Sequence, residues 1–287
     1  MSNIVILGNG PAGVSASLYT ARAGIETTII ARDFGALAKA ERIENYYGFK
    51  EQVSGMDLVR AGIAQAGRVG VTFVEEEAVG IGFGETLFVK TEQGSYAADS
   101  LILATGSARA APKIEGLNAL EGRGVSYCAV CDAFFYRGKD VAVLGSGAYA
   151  RNEVEELLPL VHSVTLLTHG AEPEISFPEA VRVVKTAVSA FAGGERLERV
   201  QLADGGEIPV QGVFVACGAA GSADFAKKVG AMTQGNRILV DENMATNVPG
   251  LFAAGDCTGG MLQIAKAVYE GAVAGTEAVK YIRNSKK

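Results

Sequence analysis

The sequence predicts an α/β protein built from two Rossmann-like folds, and three observations carry that expectation. A strand-length apolar run at residues 3–7 leads into Gly8-Asn9-Gly10-Pro11-Ala12-Gly13 and then a helix-like stretch. A second unit of the same kind opens at Asp140, with Gly145-Ser146-Gly147-Ala148-Tyr149-Ala150 after its strand. Between the two loops stands Cys128-Ala129-Val130-Cys131-Asp132, a cysteine pair at redox spacing.

The first unit reads as strand Asn3–Leu7, helix Pro11 to Ala23 with Gly24 as its stop, and strand Thr27–Ala31. Asp33 follows, about 20 residues beyond Gly13, where the dinucleotide fingerprint wants an acid for the ribose. It falls one or two residues past the expected strand end. The first glycine makes the tight turn, and the second lets the backbone approach a pyrophosphate. The third lets helix pack on strand, and the helix N-terminus faces the phosphates. In the aromatic, turn-rich loop Glu44–Phe49, Asn45 either hydrogen-bonds a cofactor or closes a turn, and both readings stay open.

A helix over 55–69 and a strand Val71–Val74 come next, then a hairpin-rich segment: Ala78–Phe83, Leu87–Thr91 and Ser95–Ala98. Ser100–Gly106 is a buried strand ending in Ala104-Thr105-Gly106, small enough for close approach of chain or cofactor. Pro112–Gly122 reads as a polar crossover between domains.

In the second unit Val141–Leu144 is the strand, followed by a helix through about Leu160 and the strand Val164–Thr168. Alanine is acceptable at the third glycine position, so a second nucleotide-binding fold is expected. Use of a nucleotide by this loop is not. The chain continues as Thr168-His169-Gly170-Ala171-Glu172, with no acid at the strand end for a 2′-hydroxyl and no arginine before Arg182 for a 2′-phosphate. Residues 183–216 are short strands and turns, closing on the buried strand Val213–Ala216 and on Cys217, a packed core thiol. A turn at 235–237 and a strand Ile238–Val240 precede Gly250–Asp256, an apolar strand ending in Gly255-Asp256. That ending suits a carboxylate at a cofactor hydroxyl. A helix runs from about Gln263 to Arg283, and Lys286-Lys287 is a solvated tail.

The 287 residues leave room for about two domains. With 48% hydrophobic and 20% charged residues, the chain can fill a proper core. The net charge of −6 leaves no basic surface for nucleic acid. No apolar run reaches membrane-spanning length, and the N-terminus shows no signal-peptide pattern, so a cytoplasmic location is the expectation. No metal is expected at the cysteine pair. Zinc needs four ligands, Cys217 and Cys257 are single and distant, and His162 and His169 are the two histidines. A structural disulfide is rare in a reducing compartment, which leaves a redox pair as the reading.

These pieces together resemble the low-molecular-weight flavoprotein thioredoxin reductases along nearly the whole chain. The matching residues are Gly8–Gly13, Glu44-Asn45, Ala104-Thr105-Gly106, Gly122-Arg123-Gly124-Val125-Ser126, Cys128–Asp132, Phe134-Phe135-Tyr136 and Phe252–Asp256. The resemblance implies two Rossmann-like, three-layer ββα domains and a homodimer. The FAD-binding domain is discontinuous, residues 1–113 joined to 244–287, and 114–243 is a redox-disulfide domain with an NAD(P)-domain-like fold. It implies FAD contacts at Gly8, Gly10, Gly13, Asn45, Thr105, Gly106 and Asp256; Pro11, Ala12 and Gly255 in the same loops, and Asp33 from the fingerprint, complete the candidate cofactor residues. Gln263 matches a flavin-loop position, although the usual arginine before it is Leu262 here. Cys131 is implied to face the flavin, Cys128 to attack thioredoxin, and Asp132 to move protons; the plain alternative for Asp132 is a helix cap.

The departure lies at the second nucleotide site. NADPH-dependent members carry a His-Arg-Arg stretch where this chain has Leu167-Thr168-His169-Gly170-Ala171. A 2′-phosphate there would forgo charge-assisted bonds worth about 1.5–3 kcal/mol each. That pattern resembles the ferredoxin-dependent flavin thioredoxin reductases, and implies ferredoxin or flavodoxin as donor. Two alternatives stand beside it: a reductase driven by NADH or NADPH, and a flavin-binding redox sensor without turnover.

Overall fold

The computed structural model of the chain describes residues 2–106, 112–218 and 221–285. The tail at Lys286-Lys287 lies outside the described residues. Two compact units form, one from Met1–Ala108 with Gly221–Lys287, the other from Arg109–Ala220.

The chain opens with β1 (Asn3–Leu7), α1 (Pro11–Arg22) and β2 (Glu26–Ile30). Next come α2 (Gly55–Arg68), capped by Ser54 Oγ accepting from Asp57 N at 3.1 Å, and β3 (Thr72–Val74). Three short strands, β4 (Ala78–Phe83), β5 (Leu87–Thr91) and β6 (Ser95–Ala98), form an antiparallel sheet. β7 (Ser100–Leu103) then returns to pair in parallel with β1. Ile4, Ile6, Leu7, Leu101, Ile102 and Leu103 are wholly buried, the near-continuous apolar runs that a parallel strand covered on both faces requires.

The second unit repeats the plan. After β8 (Val125–Ser126) come the one-turn helix α3 (Ala129–Asp132), a 3-10 turn at Ala133–Tyr136, β9 (Asp140–Leu144), α4 (Ala148–Leu157) and β10 (Ser163–Leu167). β11 (Arg182–Val184) joins their parallel sheet. β12 (Val188–Gly193), β13 (Leu197–Leu202) and β14 (Glu207–Pro209) form a second antiparallel sheet, and β15 (Gly212–Val215) completes the order β11-β10-β9-β15-β8. The helix expected through about Leu160 ends at Leu157, because Pro159 has no N–H to continue it. The stretch 112–122 is less polar in role than its composition suggests: Ile114, Leu117 and Leu120 are buried in this unit's core.

The chain then returns to the first unit with α5 (Ser222–Lys228), the hairpin β16 (Thr233–Gln234) and β17 (Arg237–Ile238), β18 (Leu251–Ala253) and α6 (Ile264–Ser285). The parallel sheet of this unit is ordered β18-β7-β1-β2-β3. Residues 221–243, expected with the second domain, pack with the first unit. Ser222 Oγ donates to Gly106 O at 3.1 Å and pairs with Thr105 Oγ1. α6 lies against α1 so closely that a Cβ on Gly271 would fall 2.1 Å from Ala12 O, and one on Gly275 2.5 Å from Ala16 O. Glycine within a helix costs roughly 0.5–1 kcal/mol relative to alanine; here close helix packing offsets it. The expected α/β class, with Rossmann-like parallel sheets, is what the chain adopts. Among the described residues no helix is long and apolar enough to cross a membrane.

Candidate active site

The first glycine-rich loop makes a tight turn into the N-terminus of α1. Gly8 has φ +106°, and a Cβ there would fall 2.3 Å from Ala104 O; one on Gly13 would fall 1.9 Å from Gly8 O. These two glycines are required by the turn and by the packing of α1 on β1. Gly10 differs. It is the N-cap of α1, and outside its own and the adjoining residues nothing lies within 4 Å of where its Cβ would be. Pro11 follows at the first helical position, where its missing N–H goes unused, and Ala12 is buried beneath. Open space beside a helix N-terminus is the fit that an FAD pyrophosphate needs.

Tertiary pairing gathers further residues of the first unit. Asn45 Nδ2 donates to Gln263 Oε1 at 2.9 Å, so two residues 218 apart in sequence meet. Asn45 therefore serves a long-range contact with a residue singled out for the flavin loop. Thr105 pairs with Ser222, and Gly106 has φ +76°. Asp33 Oδ1 accepts from Gly35 N at 2.8 Å and its Oδ2 holds Arg32 at 3.1 Å, so it braces its own turn just past β2.

Gly255-Asp256 is braced by residues that sequence reading missed. Gly255, with φ +85°, donates its N–H to Glu270 Oε2 at 2.8 Å. Lys266 Nζ lies 2.9 Å from the same carboxylate, and also donates to Gly255 O and Thr258 Oγ1 at 2.9 and 2.8 Å. Thr258 Oγ1 in turn lies 2.9 Å from Glu270 Oε2. Both charged side chains are mostly buried, so each depends on the other. The Lys266/Glu270 spacing of four residues on a helix just after Gly-Asp was the available signal.

In the second unit Cys128 and Cys131 form a disulfide. Cys128 is the N-cap of α3, and its Sγ accepts from Cys131 N at 3.2 Å, a contact that favours a thiolate at Cys128 once the bond is opened. Cys128 is buried and Cys131 exposed. Asp132 does not act as a cap; its Oδ2 accepts from Ser126 Oγ at 2.6 Å. The same Ser126 hydroxyl accepts from Cys128 N at 3.1 Å, tying the carboxylate to the first cysteine. Burial first, and then the Asp132 charge, push the Tyr136 hydroxyl above its usual pKa. Glu153, on α4 and 1% exposed, accepts from Ala129 N at 2.6 Å and holds α3 in place. Val130, Phe134 and Phe135 stand exposed around the pair.

The remaining thiols are unsuited to exchange. Burial pushes Cys217, which is half-buried, up to about 11 and the fully buried Cys257 up to about 12. Among the described residues no group of three or more His, Cys, Asp or Glu side chains is placed to hold a metal.

The second glycine-rich loop keeps the frame of the first, but Glu174 covers it. Ser146 Oγ donates to Glu174 Oε1 at 2.9 Å, and Glu174 N donates to Ser146 O at 2.9 Å. At the strand end beyond it, His169 has φ +53° and its Nδ1 accepts from Val188 N at 3.0 Å.

Residues 2–271 match the family described as pyridine nucleotide-disulphide oxidoreductase. A thioredoxin reductase of Aquifex aeolicus is 34% identical over 88% of this chain and 84% of its own length. Among solved structures, an atypical thioredoxin reductase from Desulfovibrio vulgaris Hildenborough superposes with a TM-score of 0.92 at 41% identity, covering 99% of both chains. A ferredoxin-flavin thioredoxin reductase from Clostridium acetobutylicum superposes at 0.73 with 32% identity, covering 98% of both chains.

Proposed function

The chain belongs to the pyridine nucleotide-disulphide oxidoreductase family, and from this premise we propose that it is a thioredoxin-disulfide reductase driven by reduced ferredoxin, or flavodoxin, rather than by NADPH. FAD is its cofactor; when bound, it supplies the electron exchange between a one-electron donor and a disulfide. The observation that carries the reading is the Cys128–Cys131 disulfide, with a backbone donor on Cys128 Sγ and a carboxylate tied to its own turn.

In the reduced pair Cys128, as thiolate, attacks one sulfur of the thioredoxin disulfide and forms a mixed disulfide. Cys131 then displaces the thioredoxin thiolate and re-forms the Cys128–Cys131 bond. Asp132 takes the proton released as Cys128 ionises and supports its return to the leaving thiolate. The exposed Val130, Phe134 and Phe135 support a protein rather than a small-molecule substrate. Cys128 is buried, so its attack requires rearrangement. We place that in rotation of the two units about the chain crossovers that join them, in a homodimer; residues 112–117 and 242–248, where the sequence suggests crossovers, lie within the second and the first unit.

The donor half rests on Leu167–Ala171, which holds no arginine for a 2′-phosphate. The test is an anaerobic titration of the purified flavoprotein with NADPH, NADH and photochemically reduced ferredoxin, followed by flavin absorbance. Bleaching by ferredoxin, with electrons passed on to thioredoxin, is the expected result. Fast bleaching by NADPH or NADH would assign the donor to a nucleotide instead. Flavin reduction without multiple turnover would leave a redox sensor.

A further inference from the structure

The second glycine-rich loop has lost more than an arginine. In the fingerprint, the second glycine is bare so that a pyrophosphate can approach the backbone. Around Gly147, outside its own and the adjoining residues, the three heavy atoms nearest to where a Cβ would sit all belong to the Glu174 carboxyl group, at 3.0, 3.6 and 3.9 Å. The carboxylate thus lies beside the N-cap of α4, a ten-residue helix whose N-terminus is where this fold seats anionic phosphate.

The position is held by the main chain. Glu174 N donates to Ser146 O at 2.9 Å, and Glu174 Oε1 accepts from Ser146 Oγ at 2.9 Å. Upstream, the approach to this contact is pinned as well: Gly170 N donates to Lys185 O at 2.7 Å and Val188 N to His169 Nδ1 at 3.0 Å. The segment is a strap tied at both ends of its crossing, and its carboxylate occupies the space outside the second glycine.

We propose that Glu174 is the donor-specificity residue of this protein: a built-in anion that closes the second glycine-rich loop to pyridine dinucleotides. The inference rests on the reading of a donor other than NADPH and gives it a physical agent. A dinucleotide entering here would have to expel the carboxylate or set its pyrophosphate against a like charge. Lack of a cation at Leu167–Ala171 explains rejection of a 2′-phosphate alone. A carboxylate at the pyrophosphate position excludes NADH equally.

The test uses the holoprotein, so that FAD fills the first loop, and titrates ADP and then NADH by calorimetry into wild type, Glu174→Ala and Glu174→Gln. Wild type is expected to bind both more weakly than about 1 mM. Glu174→Ala should bind ADP at least about tenfold more tightly, with the gain largest at low salt. Glu174→Gln keeps the bulk and removes the charge. A gain there as well assigns the closure to charge, and a gain in alanine alone assigns it to volume; either supports the role of Glu174. No gain in either variant, with wild type still silent, overturns the role of Glu174 and leaves the donor reading standing. Tight binding by wild type, with bleaching by NADH, overturns both.

Discussion

Gly8 and Gly145 stand at the same place in two versions of one turn. A Cβ on the first would fall 2.3 Å from Ala104 O, and on the second 2.2 Å from Ala216 O. Two residues later the loops part: outside its own and the adjoining residues nothing lies within 4 Å of a Cβ on Gly10, while beside Gly147 lies the Glu174 carboxylate. The turn geometry is a property of the fold, retained because strand must pass to helix. The space outside the second glycine is a property of the site, and a residue from a distant segment can fill it without disturbing the turn. A glycine fingerprint therefore reports the turn, and the space outside its second glycine has to be read from the structure.

That comparison can be broken most severely by giving the first loop the closure of the second. Gly10→Asp should set a carboxylate in the proposed phosphate seat of the first loop, and like charges in contact cost several kcal/mol. Flavin affinity is expected to fall at least about 100-fold, read as flavin per chain after gel filtration and by reconstitution with added FAD. Full flavin retention would show that this loop is not the phosphate seat.

The next largest effect contrasts how the loops are held. Glu270 is mostly buried with Lys266 beneath Gly255, whereas Glu174 is exposed. Glu270→Ala strands a buried cation and should cost about 3–5 kcal/mol in urea unfolding followed by flavin release. Glu174→Ala should change stability by about 1 kcal/mol or less.

The shared architecture is tested by a matched pair. Gly8→Ala and Gly145→Ala should each destabilise their own unit by at least about 1–3 kcal/mol, since both drive a methyl group onto a backbone oxygen. Strongly unequal losses in thermal unfolding would mean the two turns are not equivalent.

At neutral pH the smallest expected effect comes from the two free thiols. Cys217 Sγ donates to Leu144 O in the second unit, and Cys257 Sγ to Leu103 O in the first. Both folded-state values are raised above the ordinary 9.0, so the protonated thiol is the form that folding favours. Their contribution to stability is whole below pH 9.0. It is lost as pH rises from there to about 11 for Cys217 and about 12 for Cys257. The urea midpoint should decline over that range and show no decline from these groups below it. After reduction at pH 8, iodoacetamide should reach Cys131 at least about tenfold faster than Cys217 or Cys257.

Much of the fold was legible because its signals are local. Gly8–Gly13 followed by Pro11–Arg22, and Gly145–Ala150 followed by Ala148–Leu157, sit within one strand–turn–helix each, where glycine spacing and apolar runs act over a few residues. Cys128-x-x-Cys131 was equally local, because three residues of separation already permit the disulfide. Element ends were less legible: α4 stopped before Pro159, and residues 112–122, polar by composition, buried three apolar side chains.

The sequence by itself determined the α/β class, the two nucleotide-type turns and the redox pair, since each depends on neighbours along the chain. Only the tertiary structure decided which residues serve them. Asn45 meets Gln263 across 218 positions, Thr105 meets Ser222 across 117, and Ala129 meets Glu153 across 24. It also decided that 221–243 packs with the first unit and that Glu174 lies on Ser146. Such contacts form between segments that share no local pattern. They arise when parallel β-α-β crossovers bring strand ends to one edge of a sheet, and nothing in either partner's own neighbourhood announces the other.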